Sequence, residues 1–248
     1  MARTKVEDLG GGIVSVISEE HGFGTDAMLL ADFAAPRAGA PVLDLGTGCG
    51  ILPLLWKRNG VEADLYGLDI QEGAIEQFRE GIRLNQENGV DCSNVHAVLG
   101  DLRAPDDLGL PLGRFRTVTM NPPYKPVDTG ILSGNSAEQI ARHETLCTMD
   151  DAAAAAERAL NFGGSFVVCH RPERLADVLE AFRRHSLEPK RLRFVQKRPE
   201  TQPWLFLLES RKGGKPFLNV LPPLFIQNAD GGNSEELQRI LGAYSHDE

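Results

Sequence analysis

The sequence predicts an α/β fold, a doubly wound and mostly parallel sheet of seven strands ending in an antiparallel hairpin. Short apolar runs alternate with amphipathic stretches, the pattern of right-handed βαβ crossovers with helices on both sheet faces. Each of the first three runs closes in glycine or aspartate, as strands do where they reach a sheet rim. Near the end, two strand-like runs follow one another across a short Pro-containing loop, too close for a parallel crossover.

Taken in order, "PVLDLG" (41–46) is the first sheet strand and "GILPLLWKRNG" (50–60) its helix, with Pro53 in the first turn where a missing N–H does no harm. "ADLYGLDI" (63–70) is the second strand. "QEGAIEQFREGIRLNQENG" (71–89) is an amphipathic helix with Ile75, Phe78 and Ile82 on one face and Gly89 as its stop. "NVHAVLGD" (94–101) and "FRTVTM" (115–120) are strands three and four. The alanine-rich segment 149–164 reads as a helix closed by glycines, and "SFVVCHR" (165–171) as strand five before a helix over 172–186. Segments 190–198 and 204–212 form the hairpin. Residues 1–39 hold a strand-like piece and a helix, an extension placed to close a ligand site. The polar segment 229–248 reads as a loose tail on a single domain spanning 1–248.

The charge is −9, which argues against a nucleic-acid partner until its distribution is considered. Between Arg183 and Lys215 stand ten Lys/Arg against three acids, leaving that segment at +7 and the remainder at −16. A basic face on an acidic body is compatible with a polyanion, and equally with a solvated surface. No run reaches the ~18–20 apolar residues of a membrane span. Cys49, Cys92, Cys147 and Cys169 show no paired spacing, so free thiols are expected and no metal site. With no apolar signal segment, the expectation is a cytoplasmic protein, and composition implies nothing beyond a monomer.

The first strand ends in "DLGTGCG", a G-x-G-x-G at 46, 48 and 50, with Ile51 where a dinucleotide pattern needs its third glycine. A pyrophosphate needs close approach to a helix N-terminus, whereas a ligand without phosphates needs only room beside the backbone. Asp69 closes the second strand, where a carboxylate can accept both hydroxyls of a ribose. Asp101 closes the third, where one can accept from the amine of adenine. Each alone is an ordinary turn or surface acid; three in series describe a pocket for a phosphate-free adenosine.

The ligand of that description is S-adenosylmethionine, and at these residues the chain resembles the class I (Rossmann-like) methyltransferases. The resemblance implies that Gly46, Gly48 and Gly50 line the methionine portion, with Asp44 near its amino group. It further implies Asp69 at the ribose and Asp101 at the adenine, with Ile70 and Leu102 also in the cofactor site.

The fourth strand ends in "NPPY" (121–124), where two prolines stop any central strand. Methylating an exocyclic amine is hard because the nitrogen lone pair is delocalised. Acceptors aimed at its two hydrogens draw the nitrogen toward tetrahedral geometry; the Asn121 side chain and the Pro122 carbonyl could supply them. Pro122 and Pro123 would fix the backbone so that little reorganises during reaction. Tyr124 could stack on a planar substrate. Asn121, Pro122, Pro123 and Tyr124 are thus the candidate catalytic residues, Asn121 also bordering the cofactor. Asn-Pro-Pro is equally a common turn, and the motif fits adenine, cytosine, guanine or protein glutamine alike.

"GFGTDAMLLADFA" (22–34), "ARHE" (141–144), "RPERLADVL" (171–179) and 189–216 resemble the bacterial tRNA N6-adenine methyltransferases that modify valine tRNA beside the anticodon. That resemblance implies a tRNA substrate and adds Phe23 and Asp26 to the cofactor site. Asp69 departs from it, standing where many such proteins carry glutamate, with one methylene less reach. His143 and Glu144 could touch substrate or cap a helix, and the polar loop 125–139 suits a substrate lid. Arg191, Arg193, Lys197 and Arg198 are the candidate phosphate contacts. Trp56 and Trp204 read as core and His21 as a loop residue. Rival readings are a methyltransferase of another base or of protein glutamine, a small-molecule amine methyltransferase, and a non-catalytic binder of S-adenosylmethionine.

Overall fold

The computed structural model describes residues 3–122 and 147–242. The chain opens with a hairpin, β1 (Lys5–Gly10) and β2 (Ile13–Ile17), and helix α1 (Thr25–Ala34). Two strands thus stand where one was expected, paired with each other and outside the main sheet. Asn85 docks them: its amide accepts from Val14 N–H and donates to the Val14 carbonyl, both at 2.8 Å. That side chain imitates a neighbouring strand, so the open-edge backbone groups of Val14 are satisfied.

The main sheet contains β3 (Val42–Leu45), β4 (Leu65–Asp69), β5 (Val95–Leu99), β6 (Phe115–Met120), β7 (Leu160–His170), β8 (Leu187–Gln196) and β9 (Pro203–Lys212). Two-residue strands β10 (Asn219–Val220) and β11 (Leu224–Phe225) lie parallel to β8. The order is β10-β8-β9-β7-β6-β3-β4-β5, with β11 also on β8. The seven expected strands are present, β9 running antiparallel between β7 and β8. The two extra ones cover the edge of β8 and are too short to show a period in sequence.

Helices α2 (Ile51–Arg58), α3 (Glu72–Glu87), α4 (Met149–Ala159), α5 (Leu175–Arg184) and α6 (Glu235–Leu241) cover the sheet. Alternation divides the strands between two cores. Val42, Leu65, Val95, Val167, Cys169, Leu205 and Leu207 pack with α1, α2 and α3. Leu43, Leu45, Leu68, Phe115, Val118, Phe166, Val168 and Leu208 pack with α4 and α5. Period-two strands buried on both faces read as continuous apolar runs, which is why the sheet was legible.

Three boundaries differ from expectation. The helix over 149–164 ends at Ala159, because its glycines belong to β7, where pairing jumps from Phe115↔Leu160 to Thr117↔Ser165. Residues 161–164 therefore form a wide bulge. A 3₁₀ turn, Pro172–Arg174, precedes α5. The segment from 229 is docked as far as 242: α6 buries Leu237 and Ile240, and Arg239 forks onto Asp32 at 2.8 and 3.0 Å.

Candidate active site

The strand order reverses between β3 and β6, the switch point where open α/β sheets bind ligands beyond the strand ends. Leu45 pairs with Met120, so the loop beginning at Gly46 emerges beside Asn121. Residues separated by seventy-five positions become neighbours through topology alone.

The glycine loop has two functions. At Gly48, φ is +56° and a Cβ would meet nothing within 4 Å, leaving open space beside the backbone. At Gly50, φ is +78° and a Cβ would fall 2.0 Å from the Phe78 ring. Gly50, expected to line a ligand, thus faces the packing of α2 against α3. Gly67, which carries no motif in the sequence, faces the same ring and Thr47, each at 2.7 Å. Gly50→Ala combines left-handed backbone strain with a displaced aromatic ring, an expected destabilisation of about 3 kcal/mol. Gly48→Ala, with strain alone, should cost clearly less; urea unfolding of the pair measures the difference.

Asp69 closes the loop from β4. Its Oδ2 accepts from Gly48 N–H at 2.8 Å and its Oδ1 from Gln71 N–H at 2.9 Å. The carboxylate is 6% exposed, so it braces the glycine turn while lone pairs remain for a hydroxyl. Beside it Ile70 is 49% exposed, an apolar face at a polar rim. Asp101 is clamped by Arg103, whose Nε lies 3.0 Å from both carboxylate oxygens. The Arg103 guanidinium holds that carboxyl below the usual range. Leu102 is half-buried against the opposite core.

Asp44 is buried in the middle of the sheet. The Thr119 hydroxyl donates to it at 2.6 Å, and the Thr47 hydroxyl faces it without forming a hydrogen bond of good geometry. Burial pushes its pKa up to about 7, against the easing effect of the two hydroxyls. A carboxyl so placed holds its proton more tightly than a free one and gains from an incoming cation.

Asn121 follows Met120 on the face shared by Asp44, Thr119 and Cys169. Its Nδ2 donates to Asp26 Oδ2 at 3.3 Å, and its Oδ1 accepts from the Cys169 thiol at 3.0 Å. Asp26 comes from the first turn of α1, so the N-terminal extension reaches the switch point. Pro122 is buried. Phe23 packs half-buried against the α1–α2 core. Pro123, Tyr124, His143, Glu144 and the loop 125–139 lie outside the described residues. Cys169 and Thr119 look in the sequence like strand residues only. His170, one residue on, is pushed down to about pKa 4 by burial and accepts from Arg171 N–H at 2.8 Å, so it is neutral.

Of the four basic candidates, two are held by carboxylates of the fold. Arg191 pairs with Glu209, donates to the Phe33 carbonyl at 3.1 Å and stacks 4.5 Å over that ring. Arg193 forks onto Glu236 at 2.7 and 2.9 Å. Each is neutralised by a carboxylate that the fold brings across, so the expectation of two phosphate contacts there is corrected. Lys197 and Arg198 follow β8 at the rim; Lys197 is exposed, and Arg198 pairs with Glu200 at 3.0 Å. A concavity of about 660 Å³ lined by Gly39, Lys57, Asp64 and Asn94 is at the opposite strand ends and holds none of these residues. Among the described residues, no group of three His, Cys, Asp or Glu could hold a metal, and no helix is long and apolar enough to cross a membrane.

A glycine loop and rim acids at the switch point are the arrangement by which α/β enzymes hold nucleosides, and residues 36–202 match the family model described as "Methyltransferase domain". The chain belongs to that family: it is a methyltransferase, similar in fold to methyltransferases solved with the cofactor S-adenosylmethionine or with S-adenosylhomocysteine bound. Among curated proteins it is 26% identical over 185 residues to the tRNA1(Val) (adenine(37)-N6)-methyltransferase of Phocaeicola vulgatus, covering 75% of this chain and 74% of that one. To the protein of the same name from Porphyromonas gingivalis it is 25% identical over 228 residues, covering 88% and 86%. In fold it is similar to a predicted O-methyltransferase, protein Atu636 of Agrobacterium tumefaciens, with a TM-score of 0.69 at 21% identity, covering 90% of this chain and 100% of that one. Geranyl diphosphate methyltransferase, solved in complex with SAM, gives 0.51 at 17%, covering 75% and 84%.

The residues present fit the cofactor. Gly48 leaves open backbone, Asp44 is a buried acid suited to a cationic amino acid, and Ile70 offers an apolar surface beside Asp69.

Proposed function

We propose that this enzyme methylates the N6 amine of adenine in tRNA, beside the anticodon of valine tRNA, acting in the cytoplasm as one methyltransferase domain. The observation that carries the reading is Asn121, an amide held at the switch point between Asp26 and Cys169. The names of the relatives support adenine in tRNA as its target. In this reading Gly46, Gly48 and Asp44 hold the methionine portion of the cofactor, Asp69 its ribose, and Ile70, Asp101 and Leu102 its adenine. Bound there, S-adenosylmethionine supplies an electrophilic methyl on a sulfonium.

The chain's own residues do the remaining work. Asn121 Oδ1 and the Pro122 carbonyl accept the two N–H hydrogens of the target amine. Its lone pair then leaves conjugation and points along the line of displacement. Asp26 fixes which end of the Asn121 amide presents oxygen, since its carboxylate accepts only from Nδ2. When the bound donor gives up its methyl to the nitrogen, the proton that the amine loses would leave along this acceptor pair to solvent. No strong base is required, because the methyl donor is already activated; positioning supplies the rate.

The test is methyl transfer from labelled S-adenosylmethionine into matched tRNA, DNA and protein pools, with Asn121→Ala as control. Label in tRNA that digests to N6-methyladenosine supports the reading. Label in protein alone would replace tRNA by glutamine while leaving the amide cradle intact. Tight cofactor binding with no label in any pool would favour a binder without catalysis.

A further inference from the structure

We propose that the enzyme carries a second RNA-docking surface at the opposite end of its sheet, formed by the exposed rings of Phe162 and Phe217 within a cluster of cations. The proposal rests on the RNA reading above and names where a polynucleotide longer than the target loop would be gripped. Phe162 is 82% exposed and Phe217 75%, the two most exposed large apolar side chains among the described residues. Phe162 is at the tip of the wide bulge in β7, between the pairs Phe115↔Leu160 and Thr117↔Ser165. Bulges re-aim side chains, and this one turns an aromatic ring out of the core. The ring rests on the Gly213 backbone, where a Cβ would overlap it at 2.3 Å. The segment from Gly213 leads directly through Lys215 to Phe217.

Cations cluster around Phe162 and the segment that leads to Phe217. Arg116 Nη1 reaches within 3.6 Å of a Cβ position at Gly163, and Lys190 stretches across Gly214 to the Lys215 carbonyl. Arg114 follows the turn bonded to Ala159 through Gly113 N–H at 2.9 Å. Arg114, Arg116, Lys190 and Lys215 have no carboxylate partner among the described residues, and Arg211 is only 3.8 Å from a Glu209 already paired with Arg191. The other acids nearby, Glu157 and Glu188, are engaged by Lys212 and Arg183. What remains is positive charge interleaved with exposed aromatic faces, the chemistry that holds phosphates and stacks unpaired bases. A protein partner would gain little from so many unpaired cations. Phe162 and His170 are at opposite ends of β7, whose regular stretch from Ser165 to His170 alone spans roughly 17 Å at ~3.3 Å per residue. Only a polymer spans that distance.

The experiment compares steady-state methylation of bulk tRNA and of a minimal hairpin holding only the target loop. The variants are Phe162→Ala/Phe217→Ala and Arg114→Glu/Lys215→Glu, all at exposed sites away from the rim. Expected is a KM for tRNA raised about tenfold per ring, with kcat and the hairpin KM unchanged. The charge variant should also flatten the salt dependence of KM by about 0.7 in log–log slope for each phosphate that is no longer neutralised. A tRNA KM equal to wild type in both variants overturns the docking surface while leaving the RNA reading in place. If the wild type methylates no RNA, both fall. Loss of self-association in the ring variant, seen by sedimentation, with tRNA KM unmoved, would reassign the face to a second copy of this chain.

Discussion

Asn121→Ala is expected to lower kcat by about two to three orders of magnitude while leaving the protein folded and the cofactor bound. The reason is specific to where this amide stands. Removing one positioned polar group that acts on the transition state typically costs about 10²–10³ in rate. Alanine removes the acceptor for the amine hydrogen and also releases Asp26 and Cys169, the two groups that orient it. The cofactor contacts proposed at Gly48, Asp69 and Asp44 are untouched, so its Kd should change by less than roughly tenfold. Asn121→Asp keeps an acceptor at the same position and should retain part of the rate. A kcat for Asn121→Ala within about threefold of wild type would remove the amide from the mechanism.

The second large effect is at Asp44, where burial has moved the pKa from 3.8 to about 7. The folded state therefore binds this proton more tightly than the unfolded chain. The contribution to stability is greatest below pH 4 and is lost as pH rises toward 7, amounting to about 4 kcal/mol by linkage. A ligand carrying positive charge reverses the balance, because it favours the carboxylate. Cofactor affinity should rise up to about tenfold per pH unit between roughly pH 5 and 7 and level off above, as the carboxylate becomes fully ionised. Asp44→Asn should abolish that slope and weaken binding about a hundredfold at pH 8, while raising the unfolding free energy there. Calorimetric titration across pH, with thermal unfolding of both proteins, tests all three. A pH-independent Kd in the wild type would place the cofactor's charge elsewhere.

The parallel strands and their rim acids were readable because each depends on a few consecutive residues: an apolar run, then Asp or Gly. The contacts that orient Asn121 were not, since Asp26 and Cys169 lie 95 and 48 positions away and meet it only through the strand order. Thr119 likewise looks like a β-branched strand residue until register sets it against Asp44, 75 positions distant. The basic segment was legible as charge but not as surface. Whether Arg191 or Lys215 faces solvent depends on which carboxylate the hairpin and α6 bring alongside. Gly50 shows the same limit within a motif: its spacing was visible, whereas its contact with Phe78 belongs to the packing of two helices.

Arg58, at the end of α2, donates to the Leu9 carbonyl at 3.0 Å and to the Leu241 and Ile240 carbonyls at 3.1 and 3.5 Å. One guanidinium thus fastens the N-terminal hairpin and the last helix to the same point on the body. The two segments, 232 positions apart at these carbonyls, share a single fastening, so their local opening is expected to be coupled and removal of one to loosen the other. Because the hairpin leads into α1 and Asp26, the last helix is joined through the chain to the residue bonded to the Asn121 amide.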